Sequence, residues 1–295
     1  MAIHMTTSSG SPEFDLPKLK VTAGSWSRQG RNRDQNEDRE YVSPAMDLFI
    51  VADGMGGHQR GEIASRFAID ALTRALVPLR QSTHTDDEIE DAVRAALEEA
   101  NCLVLDLSSA GQRHRLPGTT VVMALLFGSK LFVTGVGDSR AYLLRNGTME
   151  VLTEDDTVAA FLVKRGTISI EAARTHPARH QLLQSIGMPD FKPDQSIQVL
   201  EVMDGDRLLL CSDGISDVVP DSEIVMALES AHDPRRAAKE LVDLAMWHGA
   251  KDDCTCILLK VDRERAEVPA VDVQPERQPL FARIRSFFVQ ARVTG

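Results

Sequence analysis

Runs rich in Val, Ile, Leu and Phe at 48–52, 119–127, 130–136, 140–145, 195–202, 207–212 and 254–261 predict strands, several of them apolar enough to be buried on both faces. Gly128-Ser129, between the second and third runs, marks a hairpin. Apolar residues recur with a helical period over 62–79, through Ile63, Phe67, Ala71, Leu72 and Leu76. They do so again over 86–106, where Asp86 can cap a stripe of Ile89, Val93, Ala96, Leu97 and Ala100. Shorter helices are predicted at 157–165, 169–175, 221–231 and 234–247, the last capped by Asp233 with Pro234 at its first position. Strands and helices come in groups and do not alternate. The expected fold class is therefore a layered α+β fold with largely antiparallel sheets, not a doubly wound parallel sheet.

The rest of the chain divides around one body expected at 21–262. Residues 1–20 begin MAIHMTTSSGSPEFDLP, small, polar and without period; GSPEF at 10–14 reads as a cloning scar, so this stretch is expected to be disordered and partly vector-derived. Residues 263–279 carry three prolines and many charges and are expected to be a linker. Beyond them, Leu280, Phe281, Ile284, Phe287, Phe288 and Ala291 fall at helical spacing beside Arg283, Arg285 and Arg292, which predicts a basic amphipathic tail at 280–295. The stripe at 280–293 suits packing on its own domain or on a second copy, contact with a partner, or contact with a membrane surface.

Charge narrows the function classes. With 33 Lys and Arg against 44 Asp and Glu, the chain of 295 residues carries a formal charge of −11, and no long basic stripe interrupts the body. Nucleic-acid binding is not expected from such a balance; cation binding is. There is no apolar run of membrane-spanning length and no basic-then-apolar leader, so the expected location is cytoplasmic. The four cysteines form no C-x-x-C pair, and Cys254 and Cys256 fall on one face of a strand, which reads as reduced core thiols.

The informative pattern is where the aspartates fall. FIVADG (49–54), VTGVGDSR (133–140) and LLLCSDG (208–214) place acids at the ends of apolar strands, and KDDCTCILL (251–259) places them where one begins. If these ends converge they form a ring of oxygen ligands that repels itself unless cations fill it. Hard oxygen donors suit Mg2+ or Mn2+ over Zn2+. A single Asp-Gly after a strand reads as a turn, but several such ends together with Asn36-Glu37-Asp38 and Gly54-Met55-Gly56-Gly57 point to a metal site.

In these residues the sequence resembles the metal-dependent protein serine/threonine phosphatases of the PPM or PP2C type, in particular the bacterial branch. The resemblance runs from Ser25 to Val261 through GRNRDQNED (30–38), VADGMGGHQRGEIAS (51–65), PGTTVV (117–122), VGDSRAY (136–142), HPARHQLLQSIG (176–187), LLLCSDGISDVV (208–219) and DDCTCILL (252–259). It implies a central β-sandwich flanked by pairs of antiparallel helices, in αββα layers. It also implies phosphoserine and phosphothreonine hydrolysis by direct attack of a hydroxide bridging two Mn2+ or Mg2+ ions, with phosphorylated proteins as substrates and a bacterial Ser/Thr kinase as the opposing activity.

By the same resemblance, Asp53 bridges the two ions and Gly54 offers its carbonyl. Asp213 and Asp252 complete the first ion, Glu37 supports the second, and Asp38 orients that shell. Asp138 and Asp217 match ligands of a third, weaker ion, and Arg33 matches the arginine that holds the substrate phosphate. Thr119 and Thr120 are expected to shape the metal shell. Met55 stands where animal members carry a histidine proposed as general acid, His58 is expected to shape the glycine turn, and Asp253 replaces a usual Asn, with alignment on the following Cys-Thr favouring Asp252 over Asp253 as the ligand. The segment 154–194 corresponds to a flap expected to gate substrate, with Asp156 in place of a histidine and His180 in place of an asparagine. Two other classes stay open: a noncatalytic phosphatase-like binding module, which the full set of acids and Arg33 disfavours, and a hydrolase of small phosphate monoesters.

Overall fold

A computed structural model describes residues 19–56, 60–109, 117–193 and 195–263. The expected linker apart from Arg263, the amphipathic tail, all but the last two residues of the disordered start, and His58 lie outside the described residues. Along the chain, β1 (Leu19–Arg28), β2 (Arg39–Val42), β3 (Leu48–Ala52) and the short β4 (Gly54–Met55) precede α1 (Arg60–Leu76) and α2 (Asp86–Ser109). Next come β5 (Gly118–Thr119), β6 (Val121–Phe127), β7 (Lys130–Val136), β8 (Arg140–Arg145), β9 (Thr148–Val151), α3 (Val158–Lys164) and α4 (Ile170–Arg174). The described part ends with β10 (Gln198–Glu201), β11 (Arg207–Cys211), α5 (Asp213–Ser216), α6 (Asp221–Glu229), α7 (Pro234–Trp247) and β12 (Cys254–Arg263).

Two five-stranded sheets, in the orders β1-β12-β11-β8-β9 and β10-β7-β6-β3-β2, are antiparallel throughout and pack face to face. The continuous apolar runs have a simple cause: every other residue faces the opposite sheet and the rest face helices. In β3, Phe49 and Val51 pack between the sheets with Val122, Leu210 and Ile257, while Leu48, Ile50 and Ala52 pack under α1 and α2. On the other side Leu209, Cys211, Cys256 and Leu258 pack under α6 and α7. The fold is the layered, antiparallel α+β fold expected from the pattern of elements, in the αββα order that the family resemblance implies.

Besides the short β2 and β4, three elements escaped the apolar pattern. β1 (LKVTAGSWSR) alternates small and polar residues, yet pairs with β12 along its whole length, from Leu19↔Arg263 to Arg28↔Cys254. It begins and β12 ends slightly outside the body expected at 21–262. β9 is largely exposed and follows a turn in which Asn146 (φ 52°) and Gly147 (φ 76°) are both left-handed, the geometry of a tight hairpin. α5 is a single turn directly after β11, where Ser212-Asp213-Gly214 alone reads as a loop.

Antiparallel pairing also gathers the acids. Register Cys211↔Cys256 sets the end of β11 beside the start of β12, while Val51↔Val122 and Val121↔Val136 set the ends of β3 and β7 on either side of the start of β6. All four acidic strand ends thus lie at one end of the sandwich.

Among the described residues no helix is long and apolar enough to cross a membrane. Cys211, Cys254 and Cys256 are buried and Cys102 is exposed, all four unpaired.

The seam between β1 and α7 depends on a missing side chain. A Cβ on Gly24 would lie 2.2 Å from the backbone nitrogen of Arg235, in the first turn of α7 beside the capping Asp233. Gly24→Ala is expected to lower stability by about 1–3 kcal/mol through this overlap. Urea unfolding checks it.

Candidate active site

Asp53 sits where β3 ends, and its backbone is held on both sides by the neighbouring threonines. Thr120 Oγ1 accepts from the Asp53 amide at 3.1 Å, while Thr119 Oγ1 and the Thr120 amide both donate to the Asp53 carbonyl at 2.9 Å. Thr120 also bonds Ser139 Oγ at 2.7 Å, joining this end to the loop after β7 that carries Asp138. Gly54 pairs with Thr119, and a Cβ there would lie 2.2 Å from the Gly61 carbonyl oxygen and 2.6 Å from that of Glu37. Only glycine lets three chain segments approach so closely.

The loop before β2 meets the start of β12. Both oxygens of the buried Asp253 accept backbone amides, Gly30 and Glu37, each at 2.8 Å, so this carboxylate ties two loops together. Asp252 has one oxygen on the Asp253 amide and the other on Arg33 Nη2 at 2.5 Å. Of these two adjacent acids, Asp253 is thus committed to backbone, and Asp252, the one the sequence alignment favours, faces Arg33. The Arg33 guanidinium also lies 3.6 Å from Glu37. Partial burial opposes its charge, but the bond to Asp252 and the nearby acids outweigh that and raise its pKa.

Asp38 is fully buried, with one oxygen accepting from Ser212 Oγ at 2.8 Å; Ser212 Oγ in turn accepts the Thr255 amide. Asp213 opens α5 and Asp217 closes it, the Asp217 amide donating to the Asp213 carbonyl. His180, from the segment between α4 and β10, brings its Nδ1 to 3.6 Å from Asp213 and 3.4 Å from Asp217.

The electrostatic result is severe. Burial, then the charges of Asp38, Asp213, Asp252 and Asp138, push Asp53 well above the usual carboxylate range. Burial is also the main cause that pushes Asp38 up to about 7 and Asp138 up to about 8, and it raises Glu37 and Asp217. Buried oxygens of Glu37, Asp38 and Asp213 have no hydrogen-bond partner. Orphaned acceptors in a ring of mutually repelling carboxylates call for cations, and an all-oxygen set of this kind fits Mn2+ or Mg2+. The structure brings together the acids that the sequence reading put forward as metal ligands. Sequence reasoning missed Ser212, whose only signal is its place before a strand-end aspartate, and the bracing role of Asp253. It also missed the contacts of Asp155 and Asp156, where Asp155 grips Arg140 with two bonds of 2.8 and 2.6 Å.

The profile described as protein phosphatase 2C matches residues 28–246. The chain belongs to the protein phosphatase 2C family. It is 35% identical over 237 residues to a serine/threonine phosphatase stp of Listeria welshimeri, covering 79% of this chain and 92% of that one. It is also 35% identical over 240 residues to the serine/threonine protein phosphatase PstP of Mycobacterium tuberculosis, covering 80% of this chain and 44% of that longer protein. Among solved structures, that of the M. tuberculosis PstP matches with a TM-score of 0.74 and 32% identity over 82% of this chain and 99% of that one. The PstP catalytic domain in complex with two manganese ions matches with a TM-score of 0.70 and 32% identity, over 83% of this chain and all of that one. As a protein phosphatase 2C, the chain is a metal-dependent enzyme acting on phosphorylated proteins.

The raised carboxyls make a pH prediction for the metal-free protein. At Asp38 and Asp138 the folded state keeps protons that an unfolded chain, with carboxyls near about 4, has released, so stability falls as pH rises between those values. Metal-depleted protein is expected to melt lower at about pH 8.5 than at about pH 6, and Mn2+ to narrow the gap. Thermal melts with chelator and with Mn2+ at both values decide it.

Proposed function

We propose that Asp53, Gly54, Asp213 and Asp252, with Glu37 and the buried Asp38 behind them, hold two divalent cations, and that Asp138 and Asp217 hold a third. On this reading the protein phosphatase 2C body, residues 21–262, releases phosphate from phosphoserine and phosphothreonine that a Ser/Thr kinase has installed. The observation that carries it is the set of buried, partnerless carboxylate oxygens around Asp53. When bound, the cations supply Lewis acidity, acidifying water and neutralising charge on the phosphoryl group.

The chain's own groups supply the rest. Arg33, fixed as a cation at the edge of the ring, presents a planar fork suited to a phosphate, and its bonds to Asp252 and Glu37 aim it there. The threonines bonded to Asp53 and the Ser212 bridge to Asp38 hold the carboxylates in place, so that little reorganisation accompanies the reaction. No thiol serves as nucleophile. Burial pushes Cys211 and Cys254 up to about 12, leaving them protonated. These unpaired thiols also support a reducing, cytoplasmic setting.

The flap at 154–194 supports protein over small-ester substrates, because it exposes Phe161, Ile170 and Leu183, apolar side chains that a peptide can cover and a small ester cannot.

Hydrolysis of a phosphothreonine peptide and of p-nitrophenyl phosphate, each with Mn2+, with Mg2+ and with chelator, tests the reading. Chelator-sensitive turnover with a higher kcat/KM on the peptide is expected; activity on the small ester alone would reject the protein substrate. Asp53→Asn is expected to cut kcat at least about 100-fold, as loss of a metal-positioning group does. Arg33→Ala is expected to raise KM about 10- to 100-fold through a lost charged hydrogen bond to phosphate, with a smaller change in kcat.

A further inference from the structure

His180 stands apart from the all-oxygen ring. Its imidazole, Asp138 and Asp213 each offer one donor atom, and these three atoms lie within 4.8 Å of one another. Asp217 joins the same group at 3.4 Å from His180 Nδ1. At 3.4 and 3.6 Å the imidazole lies within ion-pairing reach of both carboxylates in the metal-free protein, at a spacing close to that of neighbouring ligands around one ion. Asp138 is nine-tenths buried and has no hydrogen-bond partner from another residue among the described residues. One oxygen of Asp213 is buried and orphaned as well.

The imidazole is also well braced. Two turn bonds, Arg179 N–H to the His176 carbonyl and Gln181 N–H to that of Ala178, fix the backbone around it. The next residues are tied to the flap's other limb: the Val158 amide donates to Gln181 at 2.9 Å and the Leu183 amide to Asp156 at 2.7 Å. Asp156 in turn exchanges two bonds with Gly137, giving its amide at 2.7 Å and taking that of Gly137 on its carboxylate at 3.0 Å. Gly137 immediately precedes Asp138. The limb that carries His180 and the strand end that carries Asp138 are therefore held in register through a single residue.

We propose that His180 is a nitrogen ligand of the third cation, making with Asp138, Asp213 and Asp217 a mixed nitrogen and oxygen site beside the all-oxygen core. This rests on the metal reading given under Proposed function. An imidazole ligand favours transition metals such as Mn2+ over Mg2+, which prefers oxygen and water. Because His180 belongs to the flap, occupancy of this site fastens the flap to the sandwich.

The test is electron spin-echo envelope modulation of the full-length protein loaded with three equivalents of Mn2+, beside a calorimetric Mn2+ titration. Direct nitrogen coupling to Mn2+ is expected in the wild type and is expected to vanish in His180→Asn, which keeps an oxygen donor. In His180→Ala the weakest Mn2+ step is expected to weaken at least about tenfold. Bound Mn2+ without nitrogen coupling, or coupling that survives in His180→Asn, overturns this assignment and leaves the core reading intact. Failure of the wild type to bind Mn2+ at all overturns both.

Discussion

Everything at the active end of this protein is arranged around the repulsion among its carboxylates. Asp38, Asp53, Asp138, Asp213 and Asp252 meet where two antiparallel sheets end, close enough that four of them raise the pKa of the fifth. Folding imposes this crowding without relieving it, because several of the oxygens have no donor to accept from. Such a site is expensive for the metal-free chain and inexpensive once cations fill it, which couples metal binding to stability.

The rest of the local structure reads as bracing against that repulsion. Thr119 and Thr120 fix the backbone of Asp53, Ser212 bonds Asp38 and the β12 backbone, and Asp253 uses both oxygens to draw the loop before β2 against the loop before β12. None of these groups needs to touch a substrate to matter. Their hydrogen bonds determine where the reactive carboxylates stand, and the thick apolar core between the sheets keeps the strand ends from relaxing apart. Gly54 contributes by lacking a side chain where the backbones of three segments converge.

The flap adds a second layer of control. It is attached to the sandwich by polar contacts, Asp155 with Arg140 and Asp156 with Gly137, and is anchored further along by the buried Ile186, which bridges Thr119. A segment held this way can be shifted at modest cost by whatever binds between it and the acidic ring, a useful property beside a site that must admit a protein side chain. Its exposed Phe161, Ile170 and Leu183 lie on the element best placed to sense that substrate.

The pattern along the chain determined a layered α+β fold and a metal site at the acidic strand ends, and the family resemblance added the αββα order and the ligand of each position. Apolar runs such as 48–52 and 207–212 are buried on both faces wherever they pack, so strands could be read locally, whereas one aspartate ending such a run reads as a turn and the metal expectation came from several such ends together. β1 and β9 were not legible, because an edge strand that is half exposed needs no apolar alternation; its partner strand defines it. The choice of Asp252 over Asp253 rests on alignment with the following Cys-Thr alone, with no physical reason in the sequence. The two are adjacent, chemically identical and one residue out of phase, and only the approach of the Gly30 and Glu37 amides distinguishes them. His180 illustrates the same limit: in sequence it is one substitution in a flap motif. Its proximity to Asp138, Asp213 and Asp217 exists only because the flap folds back over strand ends more than thirty residues away in either direction.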